Sequence, residues 1–159
     1  MTKLTAQQFD RIAKKFFGEL LEPYEFTCDD SKWCTFHKKV SDDVYHFIVP
    51  DKSRSAPKYD VHVFAHSPLL RDDFHELFPD EVGFISGASR LSKNGVGIRQ
   101  EQYFCRTPEG FERDFNKKVK PYILEFALPY LEHITTIKDV AAAIKSGPSL
   151  QIAKQKGYA

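Results

Sequence analysis

Between Lys58 and Pro68 the chain alternates apolar and polar side chains, which is typical of a strand with two different faces. The positions expected to face a core are Tyr59, Val61, Val63 and Ala65. The opposite face would carry Asp60, His62, Phe64 and His66. We therefore predict a strand that gives one face to the hydrophobic core and presents a second face that is polar and partly aromatic.

Helical periodicity precedes this strand near the start of the chain. Apolar residues recur at steps of three and four, at Phe9, Ile12, Ala13, Phe16, Phe17, Leu20 and Leu21. Thr5 and Gln8 have the spacing of a capping box, and Pro23 disfavours a helical conformation at Glu22. These features predict an amphipathic helix from residue 5 to about residue 22.

Three further strands are predicted between this helix and the strand that starts at Lys58. The β-prone runs are 24–28, 33–40 and 44–49, with turn-forming residues between them. In the second run one face would be formed by Cys34, Phe36, Lys38 and Val40, and the other by Trp33, Thr35, His37 and Lys39. Because short links join antiparallel neighbours, we expect the four strands to form a meander.

The region after the meander is less regular. Ser67-Pro68 combines an N-cap residue with proline at the first helical position, which predicts a short helix that Pro79 ends. Residues 80–99 contain four of the eight glycines, and Asn94-Gly95 is a turn signal. The run 96–106 predicts a further strand.

The C-terminal third of the chain is predicted to be helical. Thr107-Pro108 repeats the signal for a helix start. Pro121 and Pro129 should kink or split this helix, because proline lacks the N–H donor and crowds the preceding turn. A last helix is expected from Ile137 to about Lys145, and the chain is expected to fray from about residue 148.

The order of one helix, a meander and then several helices is typical of the α+β class. We predict a single domain over residues 1–159, with a mainly antiparallel sheet of about five strands. N- and C-terminal helices would pack on one face of that sheet. A chain of this length buries roughly 68–70% of its extended surface, so the core needs no disulfide or metal.

Composition and cysteine content indicate the expected cellular location and classes of partner more clearly than the function. A formal net charge of +1 gives no global attraction to nucleic acid or anionic membranes. The three cysteines, Cys28, Cys34 and Cys105, show no metal-binding or disulfide spacing, which favours reduced thiols in a cytoplasm. We find neither a signal-peptide pattern nor an apolar run of membrane-spanning length, and expect a soluble cytoplasmic protein with no membrane partner.

Several strand motifs are similar to those of a bacterial protein family. They are Phe36-His37-Lys38-Lys39, Val44-Tyr45-His46-Phe47-Ile48, Tyr59-Asp60-Val61-His62-Val63 and the late Pro121 to Pro129-Tyr130-Leu131 region. In this pattern the chain resembles a bacterial α+β family known only as a domain of unknown function. The resemblance implies a bacterial origin and an α+β fold, and it implies no activity.

The histidines supply the first candidate site. If the register places His46 opposite Asp60 or His62, then His37, His46, Asp60, His62 and His66 could converge on one sheet face. Such a cluster could bind a late first-row metal or serve in acid–base catalysis. His62 and His66 alone would lie roughly 13 Å apart along the strand, which is too far for them to share a metal. The alternative is a polar sheet face without a site.

The glycine-rich segment 86–99 supplies the second candidate site. Its backbone N–H groups could converge on an anion, and Arg90, Lys93 and Arg99 would add positive charge. The segment matches neither the dinucleotide fingerprint nor the P-loop motif. A surface loop with no ligand is the alternative interpretation.

No motif with dedicated chemistry is present, so we assign no catalytic residue, metal or cofactor. The leading hypothesis is a non-catalytic binding or interaction module that presents the polar sheet face and the glycine-rich segment to a protein or small molecule. An accessory or toxin-immunity role would fit its size. The alternative is a small hydrolase or transferase that uses His62 or His66 with Asp60. Nucleic-acid binding through a basic cluster is disfavoured by the net charge, and the cluster would be Lys38, Lys39, Lys52, Arg54 and Lys58.

Overall fold

The computed structural model describes residues 4–28, 34–67, 90–97 and 101–146. Its strands are β1 (Thr27–Cys28), β2 (Phe36–Ser41), β3 (Val44–Lys52), β4 (Lys58–His66), β5 (Arg90–Ser92), β6 (Gly95–Gly97) and β7 (Tyr103–Phe104). Its helices are α1 (Ala6–Leu21), a long helix α2 over 108–132 and α3 (Ile137–Ser146), with a short 3-10 turn at Glu22–Tyr24.

The predicted α+β fold with an antiparallel sheet is confirmed, but the sheet is larger than expected. Strands β1 to β6 lie side by side in sequence order, and β7 pairs with β4, which makes seven strands in the described residues. The increase over about five strands comes from the segment 90–106. A turn at Lys93 and Asn94, followed by Gly95 at the start of β6, closes a β5–β6 hairpin. The predicted strand 96–106 is represented by β6 and β7, with residues 98–100 outside the described part.

Helix α1 forms as its capping signals predict. The Thr5 hydroxyl accepts from the Gln8 N–H at 3.1 Å, and the Gln8 side chain accepts from the Thr5 N–H at 2.9 Å. This reciprocal pair satisfies two of the N–H groups that a helix start leaves without intrahelical partners. The side chains that α1 buries recur every four residues, at Phe9, Ala13, Phe17 and Leu21.

An aromatic core lies between α1, the sheet and α2. Tyr59 of β4 is fully buried, and its ring centroid lies 5.2 Å from that of Phe9 and 5.3 Å from that of Phe111. Phe17 adds contacts with Phe36 of β2 at 6.1 Å. Both strand residues belong to the same sheet face as Val61 and Val63, so α1 and α2 cover one face of the sheet, as predicted.

Helix α2 continues through both prolines, so the prediction that they split the helix is wrong. Two π-helical segments, Phe115–Val119 and Ile123–Ala127, each end two residues before a proline, at Pro121 and Pro129. After each segment a backbone N–H donates five residues back, from Lys120 to Phe115 and from Leu128 to Ile123. The wider turns absorb the proline ring without ending the helix.

Some boundaries differ from the sequence prediction. The run 24–28 is a strand only at Thr27–Cys28, because the helix end continues into a 3-10 turn and Glu25 takes a left-handed conformation with φ 69°. The third strand extends past Val49 to Lys52. The helix predicted after Ser67, Trp33 and the tail from 147 lie outside the described residues.

Candidate functional site

The β2–β3–β4 register sorts the histidines onto two faces of the sheet. His46 alternates with the buried Val44 and Ile48 and pairs with Ala65 of β4, so it lies on the helix-covered face. His62 pairs with Val49 and His66 with Tyr45, on the second face. The predicted convergence of His46 with Asp60 and His62 is therefore wrong, because a position one residue along a strand points to the opposite face.

A cavity of about 190 Å³ opens where His46 meets the C-terminal end of α2. Its walls come from the chain before β1, from β2 and β3, and from the end of α2 with the segment that follows. The lining residues are Tyr24, Phe26, Lys38, Val40, His46, Leu128, Leu131, Glu132 and Thr135. The walls are mainly apolar, and this volume is smaller than the ~300 Å³ at which pockets for drug-sized ligands begin.

His46 is held in place at the cavity wall. Its Nε2 donates to the carbonyl oxygen of Ile134 at 2.6 Å, and its side chain is buried. Burial lowers the pKa of His46 below its ordinary value, and the nearby Lys38 charge acts in the same direction. The imidazole is therefore neutral at neutral pH, with one nitrogen committed to the backbone of the segment between α2 and α3.

Lys38 is the cation of the cavity. It pairs with His46 across β2 and β3, and its Nζ lies 6.0 Å from the centre of the Phe26 ring. Glu132 contributes a carboxylate from α2. Within the described part of the chain no ion pair joins Lys38 to Glu132, so the apolar cavity has an ammonium and a carboxylate that do not neutralise each other by direct contact.

The second face carries the charged residues of the central strands. His62 Nε2 lies 3.3 Å from the Asp51 carboxylate, whereas Asp60 lies 4.0 Å from Arg90 Nε. The hydrogen bond from His62 lowers the pKa of Asp51 below its ordinary value, and the charge of His62 acts in the same direction. The Asp51 carboxylate is thus a hydrogen-bond partner of His62 that the sequence analysis did not anticipate.

Aromatic rings form a row beside these charges. Phe47 and Phe64 face each other across β3 and β4 with ring centroids 4.9 Å apart and planes 6° from parallel. The His37 ring lies 6.2 Å from Phe47 on the β2 side, and the His66 ring lies 6.4 Å from Phe47 on the β4 side. His37 also shares a hydrogen bond with the Thr27 hydroxyl at 3.3 Å. Three of the predicted site histidines therefore do lie on one face.

The glycine-rich segment 86–99 is described only in part. Residues 90–97 form the β5–β6 hairpin, and the rest of the segment lies outside the described residues. Arg90 lies on β5 opposite His62, and Lys93 is exposed in the hairpin turn, where its N–H donates to Glu101 at 2.8 Å. Arg99 lies outside the described residues. Of the two basic side chains that are described, Arg90 is thus placed beside the predicted histidine face and Lys93 is not.

The predicted basic cluster is divided between the two ends of the central strands. The basic residues do not cluster at one end of the meander, because Lys38 and Lys39 pair with His46 and Tyr45 while Lys52 lies about 20 Å further along β3 at ~3.3 Å per residue. Across the described ranges, no three histidine, cysteine or acidic side chains come together as a metal-binding group.

The cavity is a site that the residue patterns did not predict, although the sequence contains two signals for it. Lys38 shares a strand face with Cys34, Phe36 and Val40, and His46 alternates with apolar residues in β3. A charged or polar side chain on an otherwise apolar strand face must reach an edge, a partner or a cavity, because burial without one is costly. The contributions of Leu128, Leu131 and Glu132 depend on where α2 crosses the sheet, which the sequence does not give.

Comparison of this chain with protein-family models, with curated proteins and with solved structures gives no significant match. The resemblance to a bacterial family of unknown function therefore stays a prediction. In the part of the chain that is described, no helix combines the length and the apolar character needed to cross a membrane.

Proposed function

We propose that this chain is a non-catalytic binding module of the bacterial cytoplasm, and that its cavity takes a small ligand with an apolar body and a carboxylate. The observation that carries the proposal is the cavity itself, with apolar walls from β2, β3 and α2 and the Lys38 ammonium on one side. A carboxylate can bind this ammonium while the rest of the ligand displaces water from apolar surface. The odd number of cysteines supports the cytoplasmic setting.

Two of the polar groups that line the cavity, those of His46 and Thr135, support binding rather than catalysis. The His46 N–H is engaged by the Ile134 carbonyl, and the Thr135 hydroxyl donates to Asp139 at 3.3 Å. General acid–base or nucleophilic catalysis requires such a group to be aimed at a substrate and activated by a neighbour. Here both groups hold the segment between α2 and α3 in place, which shapes a binding wall.

The proposal is tested by titrating isotope-labelled protein with 3-methylbutanoate and phenylacetate, and with 3-methylbutylamine as the probe of opposite charge. We expect both carboxylates to shift the amide signals of Phe26, Leu128 and Leu131, with dissociation constants of roughly 1 mM for ligands this small. The amine should bind more weakly, because the half-buried Lys38 repels it more than the solvent-exposed Glu132 attracts it. Shifts that are absent from these residues, or equal for amine and carboxylate, would contradict the proposal.

A matched pair of variants isolates the contribution of the cation. Lys38→Met keeps the aliphatic stem and removes the charge, and we expect it to weaken carboxylate binding at least about tenfold, since a hydrogen bond to a charged group contributes ~1.5–3 kcal/mol. Lys39→Met is the control, because Lys39 lies on the other face of β2 and pairs with Asp42 at 3.2 Å. Equal losses in the two variants would contradict a role specific to Lys38.

The Asp51–His62 hydrogen bond favours a second candidate function, a small hydrolase or transferase that uses the second face. An imidazole oriented by a carboxylate is the arrangement of a general base. Under this alternative, the protein hydrolyses 4-nitrophenyl acetate or 4-nitrophenyl phosphate faster than buffer does, and His62→Gln abolishes the excess rate while His133→Gln retains it. Equal rates with and without protein would reject catalysis of these reactions.

A further inference from the structure

Cys28 and Cys34 lie on the same face at the β1 edge of the sheet. Cys28 pairs with Phe36 across β1 and β2, and Cys34 precedes Phe36 by two residues, which is the spacing of diagonal neighbours on one sheet face. Both cysteines belong to the same core region, with Cys34 buried and Cys28 partly buried against it. The Cys28 side chain lies close enough to Cys34 to raise the pKa of the Cys34 thiol.

The two thiols differ in their access to reagents. Cys34 is 2% exposed, whereas Cys28 is intermediate in exposure. Burial raises the pKa of the Cys34 thiol, and the neighbouring Cys28 and Asp10 act in the same direction, opposed by Lys14. Cys28 is therefore the thiol that meets a reagent first, and Cys34 is the thiol beside it that can complete an exchange.

We infer that Cys28 and Cys34 are a redox modification site, and that they form a reversible intramolecular disulfide on reaction with a small-molecule disulfide. The Cys28 thiolate attacks one sulfur of the reagent, which forms a mixed disulfide and releases one thiolate. Cys34 then loses its proton and attacks the Cys28 sulfur, which expels the second thiolate. Two protein thiols are oxidised and one reagent disulfide is reduced to two thiols, so atoms and electrons balance.

The bond would tether β1 to β2 next to the cavity. Phe26 precedes Cys28 by two residues, or about 7 Å along an extended chain, and Lys38 follows Phe36 by the same interval. Strand β1 is only two residues long and lies at the end of the strand order, so small shifts that bring the two Cβ atoms to bonding distance disturb few ladder hydrogen bonds. The inference stands on the cysteine pair and does not depend on the proposed ligand.

The test equilibrates the folded protein with reduced and oxidised glutathione, alkylates the remaining thiols under denaturing conditions and maps tryptic peptides by mass spectrometry. Trypsin cleaves after Lys32, so the disulfide joins peptides 16–32 and 33–38. We expect this linked pair, a mass loss of two hydrogen atoms and alkylation of Cys105 alone. Glutathione retained on Cys28 without a linked pair, or linkage through Cys105, would overturn the inference.

Controls distinguish a disulfide that the fold favours from one that forms only because the two cysteines are close in sequence. Cys105→Ala should form the same linked pair, whereas Cys28→Ala and Cys34→Ala should form none. Because cysteines six positions apart also meet in an unfolded chain, the equilibrium is repeated in concentrated urea. We expect the equilibrium constant for disulfide formation with glutathione to be at least about tenfold larger in the folded wild-type chain than in the unfolded chain. An equal or lower preference in the folded chain would show that the fold does not favour the pair, and would overturn the inference even if a variant failed to fold.

Discussion

At the scale of single residues, His46 connects the core to the cavity and makes stability depend on pH. Its pKa is lowered in the folded state by burial, so the folded chain takes up a proton less readily than the unfolded chain, where the pKa is ~6.5. Above that pH, the neutral imidazole makes its full contribution to the free energy of unfolding. This contribution is lost as the pH falls from the unfolded pKa toward the folded one.

We therefore expect the wild-type protein to lose more stability between about pH 7.5 and pH 5.5 than a variant that lacks this proton equilibrium. His46→Gln removes the titration and keeps an N–H donor near the Ile134 carbonyl. Urea unfolding at both pH values measures the difference, and carboxylates such as Asp51 cancel because both proteins contain them. His133→Gln, at an exposed position, should behave like the wild type. Parallel pH profiles for the wild type and His46→Gln would contradict this prediction.

Alternation along the strands predicted the environments of many single residues. Tyr59, Val61 and Val63 are buried as the pattern of β4 required, and Cys34 is buried as its shared face with Phe36 indicated. His46 was misassigned because the candidate cluster was assembled from residue type and not from the apolar alternation of Val44, His46 and Ile48. Pairings between residues on different strands, such as Asp51 with His62, require the register, which one strand's pattern does not contain.

At the scale of elements, the β5–β6 hairpin depends on one glycine. Gly95 has φ +106°, a conformation that side chains rarely adopt, and it begins β6 directly after the Asn94 turn position. Gly97 ends the same strand, has no such angle, and an added Cβ there would meet no atom within 4 Å. Comparing alanine substitutions at these two positions therefore distinguishes the cost of backbone strain from the cost of replacing a glycine in this strand.

We expect Gly95→Ala to lower the free energy of unfolding by about 1–2 kcal/mol, the cost of holding a side chain in a left-handed conformation. Gly97→Ala should change it by less than about 0.5 kcal/mol, because the substitution meets open space. Urea unfolding of the two variants beside the wild type measures both values. A loss at Gly97 as large as that at Gly95 would mean that strand packing, rather than the turn, determines the cost.

Local sequence rules predicted the start of helix α2 but not that the helix is continuous. The helix start at Thr107 is as predicted, since its hydroxyl accepts from the Gly110 N–H at 3.0 Å. Proline chemistry correctly marked Pro121 and Pro129 as places where an α-helical hydrogen bond is lost. The loss of that hydrogen bond does not determine whether the helix ends at the proline or continues through a wider, π-helical turn. Burial of Val119, Ile123 and Ala127 against the sheet stabilises a continuous helix with π segments.

At the scale of the whole molecule, the aromatic core joins elements that are distant in sequence. Phe111 of α2 is fully buried, and its ring lies 5.6 Å from Phe16 and 6.0 Å from Phe9 on α1, and 5.3 Å from Tyr59 on β4. Periodicity predicted that each of these residues faces a core. It did not predict that they meet one another, because the order of elements fixes the fold class and leaves their packing angles open.

This core predicts that the helices and the meander unfold together. Phe111→Ala removes the ring that contacts α1 and β4, and we expect a loss of about 3–5 kcal/mol in the free energy of unfolding. Leu124→Ala, at a side chain that is 40% exposed on the same helix, is the control and should cost far less. Urea transitions followed by the amide NMR signals of α2 and by those of β4 should coincide in all three proteins. If the two signals separated in Phe111→Ala, the helices and the sheet would be distinct cooperative units, and the single-domain prediction would be wrong.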